Sequence, residues 1–336
     1  MPASGRPITP RDLLRYRLLE DQALSPDGSQ VAYTVATIEG DDHRYRSAIW
    51  LIPTSGGEPR QVTHGEKGDS SPKWRQDGTA FAFRSDRGNE SQVFLLELAG
   101  GEPRALTSLG AGVSDFAWSP DGRSLVVVSP GEEKPDPNPP TRRITRLHYK
   151  GDGVGLLSEQ HNHLWLIDLT GAQPPRQLTS ADEDDTNPAW SPDGTRIAFN
   201  RTRPSAGGSA PFSDVWVLDV TSGQERNLTD GRGPCFGARW SPDALTLAYA
   251  GHTDPGDIWW GKNYGIWTIP AAGGDATDVT AGFGHIAARA VFGDPWRGLP
   301  WPSAHWNTDG SELCFLATVG GTSHLHAVPA RGGNVR

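Results

Sequence analysis

A small set of side chains could carry chemistry in this chain. Asp182, Glu183, Asp184 and Asp185 form an acidic run of the oxygen ligands that calcium prefers. The run lacks the alternating ligands and the glycine of a calcium loop, so a solvated loop is the competing reading. His161 and His163 stand two apart and would share one face of a strand. No third ligand accompanies them for zinc. Gly151-Asp152-Gly153-Val154-Gly155 lacks the third glycine of a dinucleotide fingerprint and reads as a hairpin turn. Cys235 and Cys314 have neither zinc-site spacing nor the numbers for a disulfide framework, and read as free thiols. A serine nucleophile on a strand-to-helix elbow needs Gly-x-Ser-x-Gly. The segments around Ser114, Ser209 and Ser323 each fail at the closing glycine. No catalytic residue, metal or cofactor is expected within the chain.

One further acidic residue recurs. Asp27, Asp77, Asp121, Asp193, Asp243 and Asp309 occupy like settings, spaced 50, 44, 72, 50 and 66 residues apart. Three positions before each stands a large apolar residue: Leu24, Trp74, Trp118, Trp190, Trp240 and Trp306. Beyond each comes a short β-rich run such as VAYTV or LVVVS, then a second such as AIWLIP or HLWLID. In five copies a short polar stretch closes the unit on Val-Thr or Leu-Thr: Val62-Thr63, Leu106-Thr107, Leu178-Thr179, Leu228-Thr229 and Val279-Thr280. The Ser-Pro-Asp-Gly segment is a turn with a mechanism. Proline presets φ at the second position and glycine supplies positive φ at the end. Four short strands in about 45 residues, repeated, predict an all-β protein: a β-propeller of four-stranded blades with six repeats visible. A solenoid fits less well, because its repeats are shorter or helical. The aspartates are therefore turn residues.

Composition agrees. Gly 41 and Pro 28 suit a chain built on tight turns, and the 13 tryptophans supply bulky anchors. A net charge of −9 argues against nucleic acid as a partner. No apolar run approaches the length of a membrane span, and the first residues lack the apolar stretch of a signal peptide. A cytoplasmic location without a membrane partner is the expectation.

Only one segment has helical character. In ITPRDLLRYRLLEDQ, Thr9 suits a cap, Pro10 the first turn and Asp12 the positive end of the dipole. Leu13, Leu14, Leu18 and Leu19 give an apolar stripe that must be buried on the propeller or on a second domain. Residues 1–22 are thus expected to be an extension with a helix, and 23–336 the propeller.

The repeats, with SPDG turns followed by WLIDL and RQLT, resemble the propeller of the prolyl oligopeptidase family of serine peptidases. The opening segment and the insertion RRITRLHYKGDGVGLLSEQHNHLWLIDL (Arg142–Leu169) resemble its acylaminoacyl-peptidase branch. TolB-like propellers share the blade motif. The resemblance implies a C-terminal α/β-hydrolase domain of the same protein that holds the Ser-Asp-His triad, with the N-terminal helix packed on it. It also implies seven blades. Six are visible, and the sixth stops before its Leu-Thr, so the propeller is expected to be incomplete at its C-terminus and the hydrolase to follow residue 336. Such an open ring exposes a strand edge and invites association, so a homo-oligomer is admissible. The implied role is to restrict access to the triad so that short or N-acylated peptides enter. A stand-alone TolB-like or scaffold propeller for protein–protein interaction is the alternative.

Two insertions could add contacts. Arg142, Arg143 and Arg146 lie near Tyr149 and Asp152, and in a peptidase cavity arginine can clamp a peptide carboxylate. A solvated basic loop or an inter-domain ion pair is the other reading. Trp259, Trp260, Trp296 and Trp301 stand outside the blade pattern, as ligand contacts or as side chains folded back on the blade.

Overall fold

The computed structural model describes residues 6–39, 44–65, 67–131, 141, 144, 149–151, 155–157, 160–204, 211–255, 262–291 and 302–336. They divide into two compact units, 1–114 and 115–336. The fold is an all-β propeller of six blades. The first unit holds two of them. Blade 1 is β1 (Leu18–Leu24), β2 (Gln30–Glu39), β3 (Arg44–Pro53) and β4 (Arg60–Gln61). Blade 2 is β5 (Asp69–Trp74), β6 (Ala80–Ser85), β7 (Gln92–Glu97) and β8 (Arg104–Ala105).

The second unit holds four. Blade 3 is β9 (Asp115–Trp118), β10 (Ser124–Ser129), β13 (His163–Asp168) and β14 (Arg176–Gln177), interrupted by the hairpin β11 (Lys150–Gly151) and β12 (Gly155–Leu156). Blade 4 is β15 (Asp185–Trp190), β16 (Arg196–Pro204), β17 (Pro211–Asp219) and β18 (Glu225–Asn227). Blade 5 is β19 (Cys235–Trp240), β20 (Thr246–Gly251), β21 (Gly265–Pro270) and β22 (Thr277–Asp278). Blade 6 is β23 (Ala304–Trp306), β24 (Glu312–Val319) and β25 (Thr322–Pro329). Within each blade the strands pair antiparallel in chain order.

Blade 6 goes one step beyond its three strands. Arg336 and Ala327 exchange both backbone hydrogen bonds at 3.0 Å. That is the register in which Leu51 faces Arg60, Leu95 faces Arg104 and Val217 faces Arg226 in complete blades. Val335 packs on the adjoining core. The outer strand expected to be missing is therefore begun.

The recurring residues each have a mechanical role. The turn aspartate accepts the amide two residues on: Ser29 N to Asp27 at 3.0 Å and Thr195 N to Asp193 at 3.0 Å. Ser25 Oγ and Ser191 Oγ also donate to these carboxylates, at 2.6 and 2.5 Å. These serine hydroxyls and the turn amides hold Asp27 and Asp193 down at about 2. A lowered carboxylate contributes stability above its ordinary range and loses it as pH falls through its folded value. Urea midpoints should therefore decline between about pH 4 and pH 2. Asp193→Asn should flatten part of that decline.

Glycine closes five of the six turns, and Gly194 has φ of 70°. Ala244 takes the place of glycine in blade 5 with φ of 60°. Its methyl lies in the core between blades 4 and 5. A buried methyl contributes about 0.8 kcal/mol, which offsets much of the roughly 1–2 kcal/mol that left-handed geometry costs.

The closing threonine is buried and accepts the amide of the third strand. Thr63 takes Ile49 N, Thr107 takes Val93 N, Thr179 takes Leu164 N and Thr280 takes Ile266 N, each at 2.9 Å. Thr229 takes Val215 N at 3.0 Å and donates to Asp214 at 3.0 Å. Thr229→Val should cost about 1–3 kcal/mol by orphaning a buried amide. Thr229→Ser keeps both bonds and should cost about 1 kcal/mol or less. Chemical denaturation of the two variants side by side checks this.

Cores form between successive sheets. Ile49, Phe81 and Phe83 fill the space between blades 1 and 2. Val126, Leu164, Phe199 and Leu218 do so between blades 3 and 4. Tryptophan stitches the blades together. Trp74 Nε1 donates to Ala23 O at 2.9 Å, Trp240 Nε1 to Ala189 O at 3.0 Å and Trp306 Nε1 to Arg239 O at 3.0 Å.

The N-terminal helix is shorter than expected. A 3-10 helix covers Pro10–Arg15 and buries no residue. Asp12 reaches back to the Thr9 amide at 2.8 Å. Leu18 and Leu19 belong to β1, paired with Ala36 and Val35. A short helix has a costly nucleus, whereas strand pairing satisfies β2 along its length. Leu13 and Leu14 stay exposed.

Candidate functional site

The first strands of blades 3 to 6 lie side by side, β9 on β15, β15 on β19 and β19 on β23. Each of these strands pairs with only one other strand of its own sheet, so each is an edge strand of its blade. That edge is shaped by bulges. Asn187 has φ of 53° and Gly237 φ of 61°, at register shifts in β15 and β19. Glycine is required at 237, where a Cβ would lie 2.5 Å from Pro302 O. The Gly237 amide donates to Asn200 Oδ1 at 3.1 Å, and Asn200 Nδ2 donates to Cys235 O at 2.9 Å. A buried asparagine thus fixes the blade 5 bulge from blade 4. In the first unit Asp21 and Ser71 hold the corresponding bulges, joined by a 3.1 Å bond from Ser71 N to Asp21.

Charged groups stand on these strands. Asp115 opens β9, Arg239 lies on β19 and His305 on β23. Burial lowers the Arg239 pKa, with the Asp115 carboxylate opposing. Burial also lowers the His305 pKa, and the Arg239 charge lowers it further. Arg239 is half-buried and the His305 ring open to solvent. Blade 4 separates Asp115 from Arg239 in sequence, yet the two sense each other.

The predicted residues fall elsewhere. Arg142, Arg143, Arg146 and Asp152 lie outside the described residues, as do Trp259, Trp260, Trp296 and Trp301. Tyr149 stands at the base of the β11–β12 hairpin, with Lys150 Nζ 5.9 Å from its ring centre. The hairpin confirms the turn read at Gly151–Gly155, since Gly151 faces Gly155.

The acidic run divides. Asp182 is exposed. Asp184 accepts Asn162 N at 2.8 Å. Asp185 is fully buried and binds Arg201 through two bonds of 2.7 and 3.0 Å, so it is not part of a solvated loop. Arg201 also donates to Glu225 at 2.6 Å and stacks on Phe199 and Trp216 at 5.2 and 4.7 Å. Burial opposes its charge, but the two carboxylates outweigh burial and raise its pKa. His161 lies 3.5 Å from Asp182 and 3.7 Å from Asp184. Among the described residues no three His, Cys, Asp or Glu side chains gather as metal ligands, and Cys235 and Cys314 are free thiols. No helix among them is long and apolar enough to cross a membrane.

A polar cavity of about 630 Å³ lies beside β20 and β21, lined by His252, Asp254, Lys262, Asn263, Trp267 and Asp278. Lys262 pairs with Asp254 at 2.8 Å, and the His252 ring stacks on Tyr264 at 5.6 Å. It could receive a small polar molecule, and among the described residues no serine or cysteine lines it.

Arg239 and His305 were legible only as parts of turn motifs. The signal for them was the position before each anchor. It reads Ala23, Lys73, Ala117, Ala189, Arg239 and His305. A charge where three repeats carry alanine marks a position released from packing.

Comparison with known proteins agrees with this picture. Residues 20–161 match the PD40 family, the TolB β-propeller domain. The uncharacterized peptidase YuxL of Bacillus subtilis is 31% identical over 63% of this chain and 34% of its own length. The chain therefore spans about a third of that curated relative. The acylaminoacyl peptidase of Pyrococcus horikoshii superimposes with a TM-score of 0.67 at 16% identity, over 96% of this chain and 46% of that one. TolB of Acinetobacter baumannii gives 0.55 at 17% identity, over 96% of this chain and 66% of that one. The chain is a β-propeller whose residues 20–161 match the PD40 model, in keeping with a propeller domain of the prolyl oligopeptidase family.

Proposed function

We propose that this propeller gates a serine peptidase of the acylaminoacyl-peptidase kind, admitting short or N-acylated peptides to a catalytic domain carried by the same protein. The observation that carries this reading is the likeness to a peptidase over about a third of that relative's length. The missing share is what a separate catalytic domain would occupy. The closer superposition on an acylaminoacyl peptidase than on TolB, 0.67 against 0.55, favours it over the interaction-propeller reading. The physical basis is size exclusion: sheets grouped around a narrow space pass an extended chain and reject a folded one. On this reading the nucleophile lies outside the propeller. Hydrolysis through an acyl-enzyme would be the work of a Ser-Asp-His triad in the partner domain.

The test uses the uninterrupted reading frame that contains this chain. Its product should react with a fluorophosphonate probe and cleave N-acetylated peptides, with rates falling along a graded series of peptide lengths. A product that takes up no probe and cleaves no peptide supports the scaffold instead. Cleavage that is indifferent to length removes the gate.

A further inference from the structure

We propose that Arg239, with His305 beside it, is a receptor for the terminal carboxylate of a peptide held among the first strands of blades 3 to 6. The assignment of the ligand as peptide rests on the peptidase reading above; the preference for an anion rests on the site itself.

Three observations carry it. First, the guanidinium is left with donors to spare. It has five N–H groups. Among the described residues it makes one hydrogen bond, from Nη1 to Ala238 O at 2.9 Å. None of the ion pairs formed among those residues includes it, and Asp115 acts on it only through space. Buried guanidinium groups are ordinarily paired, as Arg201 is with Asp185 and Glu225. Among the described residues Arg239 has no such carboxylate partner.

Second, its backbone is fixed. Arg239 O accepts Trp306 Nε1 at 3.0 Å, Gly237 two residues earlier is locked by Asn200, and Trp240 is anchored on Ala189. The root of the side chain is therefore held by three neighbours from two other blades. A preorganised cation loses less entropy on binding an anion.

Third, the second nitrogen-bearing side chain stands on the adjoining strand. His305 directly precedes Trp306 on β23, the strand that packs beside β19 and bonds to Arg239 O. The two are close enough that the arginine charge acts on the imidazole. A fork-shaped guanidinium matches a carboxylate through two parallel bonds. Asp115 has Oδ1 occupied by the Phe116 amide at 2.8 Å. Its charge reaches Arg239 through space.

The test compares an N-acetylated tripeptide as the free acid with the same peptide as its C-terminal amide, by calorimetric titration of this chain. The acid should bind at least about tenfold tighter, the scale of hydrogen bonds to charged groups. Arg239→Gln should erase the difference while leaving the far-ultraviolet spectrum and unfolding midpoint intact. Arg239→Lys keeps the charge and should keep part of the preference; it carries the test if the glutamine variant does not fold. Equal affinity for acid and amide in the wild type, or a preference that survives loss of the arginine, overturns the proposal. In the product of the uninterrupted frame, Arg239→Gln should raise KM for the acid and leave kcat and the amide unaffected. Absence of hydrolysis with the binding preference intact would sink the peptidase reading and spare the anion site. Hydrolysis of the acid with unchanged KM would do the reverse.

Discussion

Arg201→Met will destabilise the second unit by about 3–5 kcal/mol, the usual consequence of stranding one member of a buried ion pair. Asp185 is fully buried and the arginine side chain is 8% exposed, so water cannot stand in for the lost partner. The substitution removes two bonds to Asp185, one to Glu225 and the cation that lies over Phe199 and Trp216. Burial already pushes the Asp185 carboxyl up, and without the guanidinium only a hydrogen bond from Thr179 opposes that push. A raised carboxyl contributes stability only when protonated. The penalty should therefore be largest at neutral pH and shrink as pH falls and Asp185 takes up a proton, the opposite sign from the turn aspartates. The pair Arg201→Met with Asp185→Leu should recover much of the loss, because an apolar replacement of both partners removes the unpaired charge. Urea unfolding of the three variants at pH 5 and pH 7.5 decides the matter. A single variant as stable as wild type at both values would show that the pair is solvated.

The tryptophan stitches come next in size. Trp240→Ala should cost about 3–5 kcal/mol, as for other large aromatic truncations in a core. Trp240→Phe keeps most of the apolar contact but gives up the bond to Ala189 O and weakens the stack under Arg196, which lies 4.6 Å from the ring. It should cost about 1–2 kcal/mol. The same change one blade earlier should behave differently. Trp190 Nε1 is buried and has no acceptor among the described residues. Removing an unsatisfied donor regains roughly 1–3 kcal/mol of desolvation. Trp190→Phe should therefore be the milder of the two by about 1 kcal/mol or more. Thermal or chemical unfolding of the pair in parallel tests it. An equal loss at both sites would mean that ring volume alone, not the hydrogen bond, sets the role of the anchor.

These expectations also bear on the proposed gate. A stitch that fixes Trp306 to Arg239 ties two blades at their first strands, so loosening it widens the space where a peptide would pass. Stability and selectivity should then move together at Trp240 and Trp306, and separately at Arg239.

Much of this protein follows from local order in the sequence. Ser-Pro-Asp-Gly makes a turn wherever it occurs, because proline, an Asx bond and a positive-φ glycine act within four residues. Apolar runs of five or six residues between such turns make strands buried on both faces. The unit count and the four-strand blade follow, and so does the hairpin at Gly151–Gly155. The purpose of the recurring Thr63, Thr107 and Thr179 could not be read the same way, since each accepts an amide from a strand some 14 residues away in the chain. Leu18 and Leu19 fit a helical stripe by spacing, yet the unpaired edge of β2, distant in sequence, drew them into a strand. Asp185 looked like its three acidic neighbours until Arg201 crossed from the adjoining strand to meet it. Arg239 and Trp306 are 67 residues apart and meet only because Trp306 reaches back to the preceding blade. Repetition within the sequence settles what each blade is, since it depends on short-range geometry. Which side chains face one another among the first strands depends on how whole sheets are set side by side, and that information exists only in the fold.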